Sequence, residues 1–376
     1  MSDQPDNTST HAEGLWSNFV KQLEPYVPGE QPVNTNLVKL NTNESPYPPS
    51  PAVLAAVQSQ LGEQLRLYPD PDSMALKRVI AEYFSTDSVA MTSDNIFLGN
   101  GSDEVLAHAF NAFFRQAQPI LFPDLTYSFY PVYCQLYGIE YQTVPLNAQF
   151  CIDVADYQRA NGGIIFANPN APTGIGLSRQ GIIALLEANP SSVVIVDEAY
   201  IDFIDEQQQE GLSSVVDLTQ SYNNLLVVHT LSKSRALAGM RVGYAVGNAH
   251  LIEALQRVKN SFNSYPIDRL AQTAAIASFQ DEDYFQSVKA KVIANRNALL
   301  ESFASLGFES LPSAANFVLV KHKSRDARQL GEQLREHNII VRYFATPRIA
   351  QYLRISVGSE QQNRQLIDVL GQLLAD

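Results

Sequence analysis

Lys233 stands among residues that suit a lysine acting as a nucleophile. It follows the apolar run Leu225–Val228, is flanked by Ser232 and Ser234, and precedes Arg241 by eight residues. Hydroxyls and an arginine at this range can hold a phosphate, and a lysine between them can form an imine with an aldehyde. Taken alone, Lys233 fits an exposed loop lysine better, so the prediction depends on its companions.

Asp197 ends another apolar run in the segment VVIVDEAY, and Tyr200 follows three residues later. A carboxylate there could keep a pyridine nitrogen protonated, which makes the ring an electron sink. The alternatives are a helix cap or loop acid, and the metal-holding Asp-Glu pair of a nucleotide hydrolase. The hydrolase needs a phosphate loop ending in Gly-Lys, and the sequence contains no such dipeptide, so that interpretation is rejected.

The segment LGNGSDEVL places glycines and Ser102 directly before a helical pattern. Backbone N–H groups at such a helix start bind phosphate directly. Glu104 stands where the dinucleotide-binding motif needs its third glycine, so a nicotinamide dinucleotide is not favoured. The pattern therefore indicates a phosphate-bearing ligand that is not a dinucleotide.

These residues lie between short apolar runs that alternate with helical patterns. The runs are Ile120–Phe122, Gly163–Ala167, Val193–Val196, Leu225–His229 and Val242–Val246, and helical spacing follows Ser102 and covers Ser178–Ala188. This alternation predicts an α/β fold whose mostly parallel sheet is covered by helices on both faces. The pattern after Asn248 is helical and then predicts a smaller α+β unit, and the Pro-rich stretch near 41–51 predicts an extended arm.

Composition excludes several classes of function. The net charge of -13 argues against a nucleic-acid or anionic-membrane surface. The two cysteines, Cys134 and Cys151, form no CxxC pair, and the six histidines show no ligand spacing, so we expect neither disulfides nor a metal. The first residues are polar and acidic, which predicts no signal peptide and a cytoplasmic location.

The motifs NPNAPTG, DEAY and SKSRALAGMRVGY together resemble the fold-type-I aminotransferases of the aspartate aminotransferase superfamily. The segments LNTNESPY, YPDP, ANFVLV and VRYFATPRIAQYLRISVG are similar to those of its histidinol-phosphate aminotransferase family, over roughly residues 30–376. The resemblance implies a fold-type-I pyridoxal 5'-phosphate (PLP) transferase with three parts. These are an N-terminal tail and arm (1–48), a large PLP-binding domain (49–285) and a small C-terminal domain (286–376).

The resemblance also implies the catalytic residues. Lys233 would hold PLP as a Schiff base and shuttle a proton between substrate and cofactor. Asp197 would pair with the pyridinium nitrogen, and Tyr200 would donate to the phenolate oxygen. Tyr127 would stack on the ring of the cofactor.

Further cofactor contacts follow from the same resemblance. The phosphate would be held by Gly101, Ser102, Asp103, Ser232 and Arg241. Tyr68 in YPDP would reach the phosphate of the neighbouring subunit, which implies a homodimer.

One position departs from the family pattern. The superfamily usually carries an asparagine before Pro-Thr-Gly that donates to the phenolate oxygen, and this sequence has Ala171 there. Either Asn170 or Asn168 substitutes, or Tyr200 serves that oxygen alone.

Substrate recognition is expected in the C-terminal block. Arg354 and Arg342 would bind the phosphate of histidinol phosphate and the carboxylate of glutamate, since a guanidinium suits both anions. Asn43 and Asn316 are further pocket candidates, whereas Arg348 is expected to pack on the surface.

The implied reaction is transamination between L-histidinol phosphate and 2-oxoglutarate in histidine biosynthesis. Three alternatives remain open: an aromatic-amino-acid aminotransferase, an enzyme like threonine-phosphate decarboxylase, and a PLP-fold domain that binds ligand without turnover. Activity on phenylalanine and release of CO₂ would separate the first two. Against the third, a domain of the kind found in some regulators, the sequence has no basic helix-turn-helix extension and a net charge unsuited to binding DNA.

Overall fold

The apolar runs of the sequence form strands, in a computed structural model that describes residues 14–32 and 37–375. In chain order the strands are β1 (Val38–Leu40), β2 (Ile96–Asn100), β3 (Ile120–Pro123), β4 (Tyr141–Val144), β5 (Ile164–Ala167), β6 (Val194–Asp197), β7 (Leu225–Thr230), β8 (Val242–Gly247), β9 (Phe308–Ser310), β10 (Phe317–His322), β11 (Ile339–Tyr343) and β12 (Leu353–Ser356). The helices are α1 (Pro51–Ser59), α2 (Met74–Phe84), α3 (Ser102–Phe113), α4 (Tyr130–Tyr137), α5 (Arg179–Ala188), α6 (Ala249–Asn260), α7 (Arg269–Gln280), α8 (Glu282–Ser305), α9 (Ala327–Glu336) and α10 (Glu360–Ala375).

The large sheet has seven strands in the order β2-β8-β7-β6-β5-β3-β4. β8 is antiparallel to both its neighbours, and the pairs from β7 to β4 are parallel. Successive residues of β5 and β6 enter two different hydrophobic clusters, one on each face of the sheet. Helices α2, α5 and α7 cover one face, and α3, α4 and α6 cover the other. The predicted α/β fold with a mostly parallel, helix-covered sheet is therefore confirmed.

Local sequence explains where several helices begin. Ser178 caps α5 by accepting from the N–H of Gly181, and Asp268 caps α7 by accepting from the N–H of Ala271. Side-chain oxygens at this position satisfy N–H groups that the first turn leaves free. No helix of the described ranges is long and apolar enough to cross a membrane.

The small sheet joins the two ends of the chain. Its order is β1-β11-β12-β10-β9, and β1 pairs in parallel with β11, so that Val38 lies opposite Ile339. Helix α8 starts beside the large sheet, and its Leu299 and Phe303 enter the core of the small one. Part of the predicted N-terminal arm is thus a strand of the C-terminal unit, and the expected boundary at 285/286 falls in the first turn of α8.

Candidate active site

The ends of the parallel strands meet at a cleft of two adjoining cavities, of about 370 and 430 Å³. We call the smaller one the Asp197 chamber, because Asp197 closes it, and the larger one the Arg354 chamber. Both chambers are lined by Lys233, Tyr200, Tyr127 and Ala171. Ligand groups in α/β proteins gather at this edge because the strands end there.

Lys233 lies where the two chambers meet. Its Nζ donates to the backbone oxygen of Thr42 at 3.0 Å and lies 5.8 Å from the ring centre of Tyr200. Lys233 follows β7 by three residues, and Asp197 is the last residue of the adjacent strand β6. The amine is therefore presented to the cleft from the same edge of the sheet as the carboxylate.

Asp197 is a buried carboxylate with two donors. Tyr130 donates its hydroxyl to Oδ2 at 3.1 Å, and the N–H of Ala199 donates to Oδ1 at 3.2 Å. Burial raises the pKa of Asp197 to about 6, and these two hydrogen bonds act in the opposite direction. A cation placed against this carboxylate would be strongly favoured.

The Asp197 chamber is also lined by Ser102, Ser232 and Arg241. Ser102 begins α3, whose first N–H groups lack partners within the helix. Gly101 has φ of 82°, and a Cβ there would lie 2.3 Å from Nη2 of Arg241, so a glycine is required for the guanidinium to approach. Hydroxyls, a helix start and a guanidinium form the donor set of a phosphate site.

Asp103 and Tyr127 border this donor set. Tyr127 donates to Oδ1 of Asp103 at 2.9 Å, and Nη2 of Arg241 lies 3.4 Å from Oδ2. Burial raises the pKa of Tyr127, which keeps its hydroxyl protonated. The ring of Tyr127 is thereby held against both chambers.

Arg342 and Arg354 line the other chamber. Nη2 of Arg354 donates to the backbone oxygen of Asn41 at 2.9 Å, and its buried Nε has no partner among the described residues. Burial lowers the pKa of Arg354, and the charge of Arg342 acts in the same direction. Two cations with unused donors favour an anionic ligand. Arg348 lies outside both chambers and pairs with Asp124 at 2.7 Å.

Three consecutive residues of the arm reach predicted site residues. The oxygens of Asn41 and Thr42 accept from Arg354 and Lys233, and Nδ2 of Asn43 donates to the hydroxyl of Tyr200 at 3.1 Å. Asn316 does not line either chamber. It is fully buried behind the arm, where it donates to the backbone oxygen of Asn43 at 3.0 Å.

Tyr68 and Asn170 also lie outside the chambers. Tyr68 is 79% exposed and stacks on Tyr265 with ring centres 4.7 Å apart. Asn170 donates its amide to the oxygen of Leu125 and the hydroxyl of Thr173 instead of facing the cleft. Asn168 is similarly bound, through its amide, to the backbone of Leu177. Of Asn168, Asn170 and Ala171, Ala171 is the residue that lines the cleft together with Tyr200.

Sequence reasoning missed three residues of the site. Tyr130 lies in an aromatic, apolar segment that favours core packing, although a buried tyrosine hydroxyl needs a partner and this one is Asp197. Thr42 contributes only its backbone oxygen, for which a sequence gives no signal. Tyr26 lines the Arg354 chamber and packs on Phe129 with ring centres 4.6 Å apart; an aromatic residue in the polar arm was the available signal.

The family model described as aminotransferase class I and II matches residues 35–370. The chain therefore belongs to the class I and II aminotransferase family. Two of its relatives are named histidinol-phosphate aminotransferase 2, from Dechloromonas aromatica, and histidinol-phosphate aminotransferase 1, from Pseudomonas fluorescens. Each is 57% identical to this chain, covering 96% of it and 99% of the relative.

The fold has a close counterpart among solved structures. Histidinol-phosphate aminotransferase from Sinorhizobium meliloti, in complex with pyridoxal-5'-phosphate, aligns with a TM-score of 0.83 at 23% identity, over 96% of this chain and 98% of that one. The resemblance predicted from the sequence motifs is thus confirmed at the level of both family and fold.

Proposed function

We propose that this chain is a PLP-dependent aminotransferase that interconverts L-histidinol phosphate and 2-oxoglutarate with imidazole-acetol phosphate and L-glutamate, in histidine biosynthesis. The observation that carries the proposal is the position of Lys233 between a chamber suited to a phosphate and a chamber with two arginines. The names of relatives at 57% identity support the choice of substrate. We also propose a cytoplasmic location.

The residues of the Asp197 chamber fit PLP. Ser102, Ser232 and Arg241 offer phosphate donors, and Asp197 offers a carboxylate for a ring nitrogen. Lys233 lines the same chamber and offers the amine that would bind an aldehyde. PLP supplies, when bound, an electron-accepting ring that takes up charge developing at the reacting carbon of the substrate.

The side chains of the cleft then divide the work. Asp197 would stay ionised against the ring nitrogen, and Tyr200 would donate to the phenolate oxygen. Lys233 would remove and return the proton at the carbon bearing the amino group. Tyr127 would pack on the ring.

Arg354 and Arg342 would select for anionic substrates. Histidinol phosphate and glutamate share an anionic group at a distance from the amino group, and a guanidinium pairs with phosphate or carboxylate in a bidentate way. One pair of arginines therefore serves both half-reactions.

A homodimer is part of the proposal. Tyr68 is exposed and lies outside the chambers of its own chain. The exposed Leu65 and Leu67 line the same surface depression as Tyr68. A second copy covering this surface would bury it and bring Tyr68 to the phosphate in the neighbouring site.

The test follows the visible absorption of the PLP-loaded protein during separate additions of L-histidinol phosphate and L-phenylalanine. We expect rapid loss of the band with histidinol phosphate, its recovery with 2-oxoglutarate, and little change with phenylalanine. Faster conversion by phenylalanine would support the aromatic aminotransferase instead, and CO₂ release from an amino-acid phosphate would support the decarboxylase. A protein that binds PLP and converts none of these substrates would be a ligand-binding domain.

A further inference from the structure

Tyr200 has one unused proton. The residue is 9% exposed and lines both chambers, and its phenolic oxygen accepts a hydrogen bond from Nδ2 of Asn43 at 3.1 Å. Among the described residues, no atom accepts the proton of this phenol. A tyrosine hydroxyl has a single donor, so this proton is available to a group in the cleft.

The amide of Asn43 is held in one orientation. The backbone N–H of Asn43 donates to Oγ of Ser356 at 2.9 Å, and the hydroxyl of Ser356 donates to Oδ1 of Asn43 at 2.8 Å. In this arrangement Oγ accepts from the backbone N–H and gives its proton to Oδ1, which leaves the Nδ2 side of the amide facing Tyr200. Both residues are at most 3% exposed, so water does not compete for these hydrogen bonds.

The backbone at Asn43 is also fixed. Its φ of 57° lies in the left-handed region, which asparagine adopts more readily than most residues. Asn316 donates to its backbone oxygen at 3.0 Å. Three hydrogen bonds with Ser356 and Asn316, neither of which lines the cleft, thus hold Asn43 in place.

The NPNAPTG loop, which also lines the cleft, offers no free side-chain amide to Tyr200. Ala171 presents a methyl group to the cleft, and the amides of Asn168 and Asn170 are engaged by Leu177, Leu125 and Thr173. Asn43 is therefore the side-chain amide that contacts Tyr200 in the described structure.

We propose that Asn43 is a positioning residue: by donating to the phenolic oxygen of Tyr200 it directs the phenol proton into the Asp197 chamber, toward the phenolate oxygen of bound PLP. This differs from the expectation that Asn43 contacts substrate. It rests on the proposed function, because the acceptor of the proton is the cofactor.

The test replaces Asn43 in two backgrounds. Asn43→Gly removes the amide and suits the left-handed backbone, and it is made both with Tyr200 present and in Tyr200→Phe. The measured quantity is the pH midpoint of the visible absorption change of the PLP-loaded protein without substrate. Loss of one oriented hydrogen bond is expected to raise this midpoint by about 0.5–1 pH unit, because the phenolate then holds the nearby proton more tightly.

In the Tyr200→Phe background the same replacement should move the midpoint by less than about 0.3 pH unit, because the residue through which Asn43 acts is altered. Equal shifts in the two backgrounds would overturn the inference. So would an unchanged midpoint in a folded, PLP-loaded Asn43→Gly protein.

Two further variants keep the inference testable if Asn43→Gly does not fold. Asn43→Asp keeps the shape but accepts the proton of Tyr200, so a larger upward shift is expected, and the Tyr200→Phe background subtracts the effect of its charge. Ser356→Ala, outside both chambers, frees the amide to turn and should give a smaller shift in the same direction. An absence of shift in both variants would contradict the inference, whereas a wild-type protein that shows no visible band with PLP would overturn the proposed function itself.

Discussion

Arg342 and Arg354 lie directly opposite each other on the neighbouring antiparallel strands β11 and β12. Side chains at such positions point to the same side of the sheet, and like charges there repel. Both guanidinium carbons also lie within 5.5 Å of the ring centre of Phe344, so the two charges share one small region of the Arg354 chamber. An unliganded protein bears this repulsion, and a dianionic substrate would relieve it.

The arginine pair predicts opposite effects on stability and on substrate binding. Arg342→Gln should leave the free energy of unfolding of the unliganded protein unchanged or raise it by about 0.5 kcal/mol. It should also raise KM for histidinol phosphate about tenfold or more, since a charged hydrogen bond contributes roughly 1.5–3 kcal/mol. Chemical denaturation and steady-state kinetics check the two effects. Arg348→Gln, outside the chambers, is the control and should leave KM nearly unchanged.

Asp197 should lower the stability of the cofactor-free protein at neutral pH. Its pKa is raised from 3.8 to about 6, so the folded state binds this proton more tightly than the unfolded state does. Stability from this group is therefore present below about pH 4 and is lost as the pH rises to about 6, by roughly 3 kcal/mol in total.

Asp197→Asn removes this pH dependence. The difference in free energy of unfolding between variant and wild type, measured without PLP, should grow from pH 4 to 6 and stay level above. The same variant should bind PLP at least about tenfold more weakly, because the ring nitrogen loses its carboxylate. If the variant were less stable than wild type at pH 7 without PLP, the ionised carboxylate would not destabilise the folded protein, and the prediction would be wrong.

Tyr130 should tune Asp197 through the hydrogen bond at 3.1 Å. Tyr130→Phe removes a donor that favours the ionised carboxylate, so we expect PLP affinity to fall about fivefold, which corresponds to roughly 1 kcal/mol. Tyr157→Phe is the matched control, because the buried hydroxyl of Tyr157 has no partner among the described residues and its loss should not weaken the cofactor. Equilibrium titration with PLP measures both; equal losses would assign the effect to packing.

Tyr68 offers a test of the dimer by subunit complementation. Tyr68→Ala and Lys233→Ala homodimers should each be nearly inactive. Mixed dimers would contain one site with an intact Lys233 and an intact Tyr68 from the other subunit, so activity should return on refolding the two variants together. Failure of the mixture to regain activity, with mixed dimers present by mass, would mean that Tyr68 does not act across subunits.

The sequence predicted the central strands β3 and β5 to β8 but not β1, β2 or β4. β5 to β8 read as continuous apolar runs because helices cover both sides of them. β4, with its sequence YQTV, is largely exposed at the sheet edge, and its pattern carries no such run. β1 has three residues and a partner some 300 residues away, and no local pattern indicates such a pairing.

The site divided in the same way. Lys233, Asp197 and Arg241 were predicted because they lie at or near the ends of buried strands in recognisable motifs. The contacts of Thr42 and Asn41 are made by backbone oxygens, whose direction depends on the fold and not on the side chain. The hydrogen bond from Asn170 to Leu125 could not be predicted from the sequence either, because Leu125 lies in a loop that is distant along the chain.

The length of the segment 41–43 determines which of its residues meets which partner in the cleft. The segment leaves β1, whose register against β11 is fixed, and its successive residues meet Arg354, Lys233 and Tyr200 in turn. Deleting or inserting one residue here would shift the segment relative to the cleft, so that Arg354, Lys233 and Tyr200 would all lose their partners. Single substitutions, by contrast, would leave both carbonyl contacts in place. The two carbonyl contacts therefore tolerate changes of side chain at Asn41 and Thr42, whereas the segment tolerates no change of length.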